Sequence, residues 1–168
     1  MCGIVGGVSS TNITPLLLEG LNMLEYRGYD SAGLIVLSNN SFNRARSVGK
    51  VKNLEDSLKL RKHPIKGGIG IAHTRWATHG EPANHNAHPH VSKNSVSVVH
   101  NGIIENYVDL KNIQQNKGYK FTSETDTEVI AHEIDFAMWS SETFLASVQL
   151  ALKSLKGSYG LGIISSKH

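Results

Sequence analysis

The chain begins Met1-Cys2-Gly3-Ile4-Val5-Gly6, and Cys2 is its one cysteine. Glycines flank the apolar pair Ile4-Val5, a pattern that predicts a short buried strand directly behind Cys2. Removal of Met1 would leave Cys2 with both its thiol and a free α-amine. The thiol is a nucleophile, and an α-amine with a pKa of about 7.7–8.0 can accept its proton near neutral pH. The alternative is a frayed terminal residue without a role.

Length and composition predict one domain with a core of its own. A chain of 168 residues can bury an apolar interior without disulfides or metals. Its longest apolar runs, such as residues 34–37, are far shorter than the 18 or so residues of a membrane span. No basic and apolar leader precedes Cys2, and a lone cysteine suits a reducing compartment. We therefore expect a cytoplasmic protein without a membrane partner.

The basic residues are scattered along the sequence. Lys and Arg number 17 against 14 Asp and Glu, which gives a net charge of +3. Two short clusters, 44–52 and 59–66, have almost no interleaved aromatic residues, so we interpret them as a solvated face and expect no nucleic-acid partner. A basic nucleic-acid-binding domain remains the distant alternative.

Apolar periodicity predicts alternating strands and helices. Helices are predicted from Thr14-Pro15, with Thr14 as cap and Gly28 as a left-handed end, and also around 53–62, from Tyr107, from Thr125-Asp126 and from Phe144. Strands are predicted at 34–37, 42–48, 69–73, 96–102 and 159–165, the first two joined by a turn at Asn39-Asn40. Residues 74–94 have no periodic pattern, and loops this long inside a compact domain are usually functional.

Polar motifs occur in a fixed order along the chain. They are Arg27-Gly28-Tyr29-Asp30-Ser31-Ala32-Gly33, then His73-Thr74-Arg75-Trp76-Ala77-Thr78-His79-Gly80, then Asn86-Ala87-His88-Pro89-His90, then His100-Asn101-Gly102, and finally Ser123-Glu124-Thr125-Asp126. Together with the first residues, they resemble the glutaminase domains of glutamine–fructose-6-phosphate amidotransferases. Those domains are N-terminal nucleophile hydrolases.

The resemblance implies an α/β (α+β) fold, an αββα sandwich of stacked, mainly antiparallel sheets between helix layers. It implies one glutaminase domain over residues 1–168, C-terminally incomplete because the sequence stops before the family's last strands. The isomerase domain of the full enzyme is absent. The implied reaction is hydrolysis of L-glutamine to glutamate and ammonia, which the full enzyme transfers to fructose 6-phosphate to make glucosamine 6-phosphate.

By resemblance, Cys2 attacks the amide to form a thioester, and the oxyanion hole consists of the Asn101 side-chain amide and the Gly102 backbone N–H. The residue types suit this role, because amide donors carry no charge and glycine allows close approach of the backbone. Taken alone, Asn101-Gly102 favours an ordinary hairpin turn, and the resemblance reverses that preference.

The remaining site residues would bind the rest of the substrate. Arg75 offers a planar fork for the α-carboxylate, and Asp126 offers a carboxylate for the α-ammonium. Asp126 alone also suits a helix start. The resemblance adds Thr78 and His79 to the substrate shell and puts Trp76 on a loop that closes over the site; an ordinary core tryptophan is the alternative for Trp76.

We expect neither a metal nor a cofactor. Four histidines, His79, His85, His88 and His90, lie within twelve residues, but their spacing matches no closed zinc set and no cysteine accompanies them. The resemblance is compatible with a homo-oligomer. The alternative function is a truncated, inactive glutaminase-like module that binds or regulates.

Overall fold

The computed structural model describes residues 2–77 and 80–167. The strands are β1 (Gly3–Val8), β2 (Ser31–Ser38), β3 (Ser41–Val48), β4 (Ile69–Arg75), β5 (His90–Ser92), β6 (Val96–Ile104) and β7 (Gly157–Ser165). The helices are α1 (Thr14–Leu24), α2 (Val51–Lys59), α3 (Tyr107–Asn116), α4 (Glu128–Ala137) and α5 (Phe144–Leu152), and a 3₁₀ turn, Glu25–Arg27, follows α1.

All strand pairs are antiparallel and form two sheets. The first sheet has the order β1-β4-β2-β3, and the second has the order β5-β6-β7. Three separate apolar clusters fill the spaces around them. One lies between the first sheet and helices α1 and α2, one between the second sheet and helices α3 to α5, and one between the two sheets. The order of layers is therefore helix, sheet, sheet, helix, and the predicted fold class is confirmed.

Side-chain alternation along β4 divides its residues between two layers. Ala72 packs toward the helices, whereas Ile71 packs between the sheets. Since successive side chains of a strand point to opposite faces, His73 and Arg75 share the inter-sheet face with Ile71. Cys2 shares that face with Ile4, which pairs with His73 in the ladder between β1 and β4. These polar residues thus meet at one end of the sandwich.

The predicted β2–β3 hairpin is confirmed. Asn39 and Asn40 have φ values of 48° and 57°, which is the left-handed geometry of a two-residue hairpin turn. Among the described residues, no helix has both the length and the apolar character needed to cross a membrane.

Two local predictions about α1 are wrong. Ile13 occupies the N-cap position, and the Thr14 hydroxyl instead donates to the Ile65 carbonyl at 2.9 Å. Gly28 has an extended backbone with φ of −166°, so it does not end the helix in a left-handed conformation. Glycine is needed there for another reason: a Cβ atom would lie 2.9 Å from the Arg75 carbonyl oxygen. Gly28 thus allows the first polar motif to pack on the end of β4.

Burial explains the other differences. The alternation of serine and valine over residues 95–98 predicts a half-buried strand. Ser97 is nevertheless as buried as Val96 and Val98, and residues 96–100 of β6 are covered on both faces. The segment 74–94 contains a short strand, β5, which pairs with β6.

Two residues of the predicted solvated basic face are also buried in part, which corrects that interpretation. Arg44 donates to the Pro89 carbonyl at 3.1 Å, and Arg46 donates to the Ala87 carbonyl at 3.0 Å. These bonds tie the loop before β5 to the first sheet. Lys50, by contrast, is exposed as expected.

The close approach of Gly33 to this loop gives a stability prediction. A Cβ atom on Gly33 would lie 2.1 Å from the His88 carbonyl oxygen, so Gly33→Ala must push the loop away. We expect a loss of about 1–3 kcal/mol in the free energy of unfolding, measured by urea denaturation. Gly160→Ala is the matched control, because its Cβ would meet nothing within 4 Å among the described residues. Equal stability of the two variants would contradict the packing argument.

Candidate active site

A cleft of about 430 Å³ opens at the end of the sandwich where the polar residues meet. Its lining comes from both sheets and from the segment before α4. It includes Cys2, Arg27, Arg75, Trp76, His88, His100, Asn101, Gly102, Ile103, Thr125, Asp126, Thr127, Ser158, Tyr159 and Gly160. A cleft of this size with a few convergent polar groups is typical of a small-molecule site.

Strand pairing places the thiol of Cys2 at this cleft. Gly3 pairs with Thr74, so Cys2 lies beside the residues that follow β4. The Trp76 backbone N–H donates to Cys2 Sγ at 3.2 Å, and Sγ lies 3.6 Å from the Trp76 carbonyl oxygen. The carboxylate of Asp30 holds this segment in turn, since it accepts a hydrogen bond from the Ala77 N–H.

The side chain of Asn101 reaches Cys2 from the opposite sheet. Its Nδ2 donates to the Cys2 carbonyl at 3.2 Å, and its Oδ1 lies 3.0 Å from His73 Nε2. One hydrogen of the amide group is used by the Cys2 carbonyl, which leaves the second available to a ligand. The backbone of Asn101 lies within β6 and pairs with Gly160 of β7, so the hairpin-turn alternative is wrong.

Gly102 has a backbone conformation that requires glycine. Its φ is +129°, and a Cβ atom would lie 2.1 Å from the Ser158 carbonyl oxygen in β7. Both the torsion and the contact exclude a side chain. The backbone of Gly102 is thereby brought to the wall of the cleft beside Asn101.

Arg75 is buried at the end of β4 and is held by the loop that follows. Its Nη2 donates to the Gly80 carbonyl at 2.9 Å, and its Nη1 donates to the Glu81 carbonyl at 3.3 Å. Burial lowers the pKa of Arg75, and the neighbouring acidic groups of Asp30, Cys2 and Asp126 oppose that shift. A guanidinium remains charged at neutral pH, so the cleft contains a fixed positive charge.

Asp126 lies across the cleft, two residues before α4. One carboxylate oxygen accepts a hydrogen bond from the Ile104 N–H at 2.8 Å, and the other lies 3.9 Å from His100 Nδ1. Its side chain therefore binds the end of β6, and Thr127 occupies the N-cap position of the helix. The buried carboxylate has unused acceptor capacity toward the cleft.

Trp76 is not a core residue. About half of its surface is exposed, and its ring meets Tyr29 edge-on with 5.3 Å between the ring centres. It forms the rim of the cleft beside the thiol. Thr78 and His79, which the sequence also assigns to the substrate shell, lie outside the described residues.

A chain of buried histidines underlies the cleft. The hydroxyl of Thr127 lies 2.7 Å from His88 Nε2 and 2.9 Å from His100 Nδ1. The His88 ring stacks on His73 with 4.2 Å between ring centres and meets His90 edge-on. Burial lowers the pKa of His73 to about 4, and burial also lowers the pKa of His88 and His90 well below the ordinary value. These rings are therefore neutral at pH 7.

The three described histidines of the segment 79–90 do not converge on one point. His85 is exposed, whereas His88 and His90 are buried and hydrogen bond to the hydroxyls of Thr127 and Thr125. Within residues 2–77 and 80–167, no group of three or more His, Cys, Asp or Glu side chains is arranged to hold a metal ion.

Comparison with known proteins decides the family. A family profile described as "Glutamine amidotransferase domain" matches residues 73–168. The chain belongs to the glutamine amidotransferase domain family. It is 55% identical over 168 residues to the glutamine–fructose-6-phosphate aminotransferase (isomerizing) of Acinetobacter baylyi, and 52% identical over 167 residues to that of Shewanella oneidensis. These alignments cover 100% and 99% of the chain but 27% of each relative, so the chain spans about a quarter of their length.

Two solved structures share the fold. The glutamine phosphoribosylpyrophosphate amidotransferase of B. subtilis superposes with a TM-score of 0.76 at 26% identity, covering 98% of this chain and 35% of that one. A second structure, described as the allosteric regulatory enzyme of purine biosynthesis, gives a TM-score of 0.78 at 28% identity, with the same coverage. The predicted resemblance and the N-terminal nucleophile hydrolase type of this amidotransferase domain are therefore confirmed.

Sequence reasoning missed three residues that support the cleft, which are Asp30, His73 and Thr127. His73 lies two residues before Arg75, and Asp30 belongs to a motif that was quoted without a role. The alternation of β4 could have indicated His73, because residues two apart share a face. No local pattern could have indicated Thr127, because its hydroxyl contacts His88 and His100, which are distant in the sequence.

Neutral buried histidines predict acid sensitivity of the amidotransferase fold. Burial lowers the pKa of His73, His88, His90 and His132 below the ordinary 6.5. Protons therefore bind the unfolded chain more readily, and stability that is complete above pH 6.5 falls as the pH drops toward 4. Each such histidine contributes a slope of about 1.4 kcal/mol per pH unit. Urea denaturation from pH 7.5 to 4.5 should show this decline, and His63→Gln, an exposed control, should not change it. A flat profile would contradict neutral burial.

Proposed function

We propose that this chain hydrolyses L-glutamine to glutamate and ammonia through a thioester on Cys2. One observation carries the proposal: Cys2, which carries the single thiol, accepts a hydrogen bond at its carbonyl from the Asn101 amide of the opposite sheet, in a cleft that also contains Arg75 and Asp126. A nucleophile beside an uncharged donor suits amide hydrolysis, and opposite charges in the same cleft suit an amino acid.

The first chemical step is attack of Cys2 Sγ on the side-chain amide carbon of glutamine. The α-amine of Cys2, exposed once Met1 is removed, takes the thiol proton and returns it to the leaving nitrogen, which departs as ammonia. Water then attacks the thioester carbonyl, the thiol regains its proton and glutamate leaves. The Trp76 N–H, 3.2 Å from Sγ, stabilises the thiolate while it forms.

The oxyanion of each tetrahedral intermediate develops next to Sγ. Asn101 Nδ2 lies beside Cys2, and its second N–H can donate to that oxygen. Gly102 supplies the other donor from its backbone. Donors that are already in place need no reorganisation during the reaction, which is why such donors lower the barrier effectively.

Recognition of the amino-acid head is assigned to the charged pair. Arg75 would bind the α-carboxylate and Asp126 the α-ammonium, with Trp76 covering the cleft. Anchoring of Arg75 by two loop carbonyls and of Asp126 by the Ile104 N–H supports this role, because both charges are held before substrate arrives. We also assign Thr78 and His79 to this substrate shell from the sequence.

The relatives' names extend the proposal to a larger reaction. In a full-length enzyme, ammonia would be transferred to fructose 6-phosphate bound by an isomerase domain, yielding glucosamine 6-phosphate. Residues 1–168 would form the glutaminase domain of that enzyme, and a homo-oligomer is compatible with it.

Replacement of Cys2 tests the nucleophile. Cys2→Ala should abolish ammonia release from glutamine while the far-ultraviolet circular dichroism stays that of the wild type. A glutamine analogue that carries an electrophilic carbon in place of the amide should add one mass equivalent to the wild type and none to Cys2→Ala. Intact-mass measurement on the same samples reports whether Met1 is removed. Ammonia release at the wild-type rate from Cys2→Ala would exclude the mechanism, and a Met1-free wild type that binds glutamine without hydrolysing it would support the inactive binding module instead.

Substrate selectivity tests the charged pair. Leaving one charge of the substrate unpaired should cost about 1–3 kcal/mol, roughly 5- to 150-fold in kcat/KM. Arg75→Lys should lose this much because an ammonium cannot reproduce the fork. Asp126→Asn should also lose it, although its amide oxygen can still accept from the Ile104 N–H.

The comparison is kcat/KM for glutamine against a simple amide that lacks both head groups. Arg61→Lys and Asp56→Asn are matched controls on exposed residues, and both should keep the wild-type preference. Equal treatment of the two amides by the wild type would show that the head-group assignment is wrong.

A further inference from the structure

We propose that His73 is the positioning residue of the oxyanion hole: its ring N–H fixes which end of the Asn101 amide faces the cleft. This inference rests on the proposed glutaminase function. His73 projects from β4 into the space between the sheets, where β6 passes opposite. Only 1% of its surface is exposed.

The hydrogen bonds of His73 determine its tautomer. Nε2 lies 3.0 Å from two oxygen atoms, the His100 carbonyl and Asn101 Oδ1. Both atoms are acceptors, so Nε2 must carry the hydrogen. Nδ1 is then unprotonated in the neutral ring, and it has no hydrogen-bond partner within residues 2–77 and 80–167.

That tautomer orients the amide of Asn101. With Nε2–H donating to Oδ1, the Nδ2 group points the other way, toward the Cys2 carbonyl at 3.2 Å. If the amide were flipped, Nδ2 would face the His73 donor and Oδ1 would face the Cys2 carbonyl oxygen. Two hydrogen bonds would become one donor–donor and one acceptor–acceptor contact. The flipped amide would also present an acceptor, rather than a donor, beside the thiol.

The ring of His73 is itself held in place. It stacks on His88 with 4.2 Å between ring centres and an interplanar angle of 30°, and His88 bonds to the Thr127 hydroxyl at 2.7 Å. Burial keeps the ring neutral at physiological pH, since it lowers the pKa of His73 to about 4. Its hydrogen bond to Asn101 Oδ1 connects His73 to the oxyanion hole, so His73 acts through Asn101.

A double-mutant cycle tests this coupling in the whole chain. Asn101→Ala should lower kcat about 10²–10³-fold. We expect His73→Phe, which keeps a flat ring against His88, to lower kcat by about tenfold or more with little change in KM, because the transition-state donor is lost. In the Asn101→Ala background, His73→Phe should have no further effect, since nothing remains to be positioned. Multiplied losses in the double variant would overturn the proposal.

Two further variants separate positioning from general stability. His73→Gln offers an amide N–H in place of the ring N–H and should recover part of kcat; if His73→Phe does not fold, His73→Gln takes its place in the cycle. His132→Phe is the matched control, because His132 is equally buried but bonds to Ser92 and contacts Tyr119 and Phe121. It should lower stability and leave kcat unchanged. A kcat loss in His132→Phe equal to that in His73→Phe would overturn the assignment.

A spectroscopic readout keeps the test independent of turnover. Two-bond ¹H–¹⁵N spectra at pH 7 should show His73 as the Nε2–H tautomer. The Asn101 side-chain amide protons, identified by their loss in Asn101→Ala, should exchange with water faster in His73→Phe than in wild type. If wild type releases no ammonia, the proposed function fails while these spectra still decide the positioning role. An Nδ1–H tautomer, or unchanged exchange in His73→Phe, would overturn it.

Discussion

The antiparallel register between β1 and β4 is the constraint on which the site depends. Gly3 opposite Thr74 sets Cys2 beside the segment that follows β4, and the same face of β4 presents His73 and Arg75 toward the second sheet. A slip of one residue would turn these side chains toward the helices, because side chains alternate with a period of two. The apolar residues Ile4, Ile71 and Val99, packed between the sheets, fix the register by their burial. The β1–β4 register therefore determines both the packing between the sheets and the geometry of the candidate site.

The site contains imidazole rings inside the sandwich, and burial keeps those of His73, His88 and His90 neutral at pH 7. Transfer of a charged imidazole to this interior would be costly, whereas a neutral ring with a hydrogen-bond partner is tolerated. The Thr127 hydroxyl, at the N-terminal end of α4, is within hydrogen-bond distance of the rings of both His88 and His100. Thr127 thus links His100, in the second sheet, to His88 in the loop before β5, and all three residues line the cleft. The same arrangement makes the stability of the fold depend on pH, because protonation of a buried ring at low pH favours the unfolded chain.

The sequence predicted most of the helices and strands correctly, because each is indicated by residues that are close together in the chain. The hairpin at Asn39-Asn40 and the helix starting near Phe144 both follow from a few neighbouring residues. The errors concern contacts between distant segments. Gly28 faces the Arg75 carbonyl, Thr14 bonds to Ile65, and Arg46 bonds to the loop before β5, and no local pattern contains these partners. For the site, the resemblance supplied Cys2, Asn101, Arg75 and Asp126, whereas the supporting contacts of Asp30, His73 and Thr127 appeared only in three dimensions.

Charge is distributed unevenly across the cleft, and this distribution suits the proposed chemistry. Arg75 and Asp126 would carry opposite charges on the side assigned to the amino-acid head. The donors assigned to the thiol and the oxyanion, which are the N–H groups of Trp76, Asn101 and Gly102, are uncharged. Uncharged donors attract a developing oxyanion less strongly than a fixed cation would. Their weaker pull must be offset by accurate placement. Residues that orient these donors, rather than residues that carry charge, should therefore determine the rate.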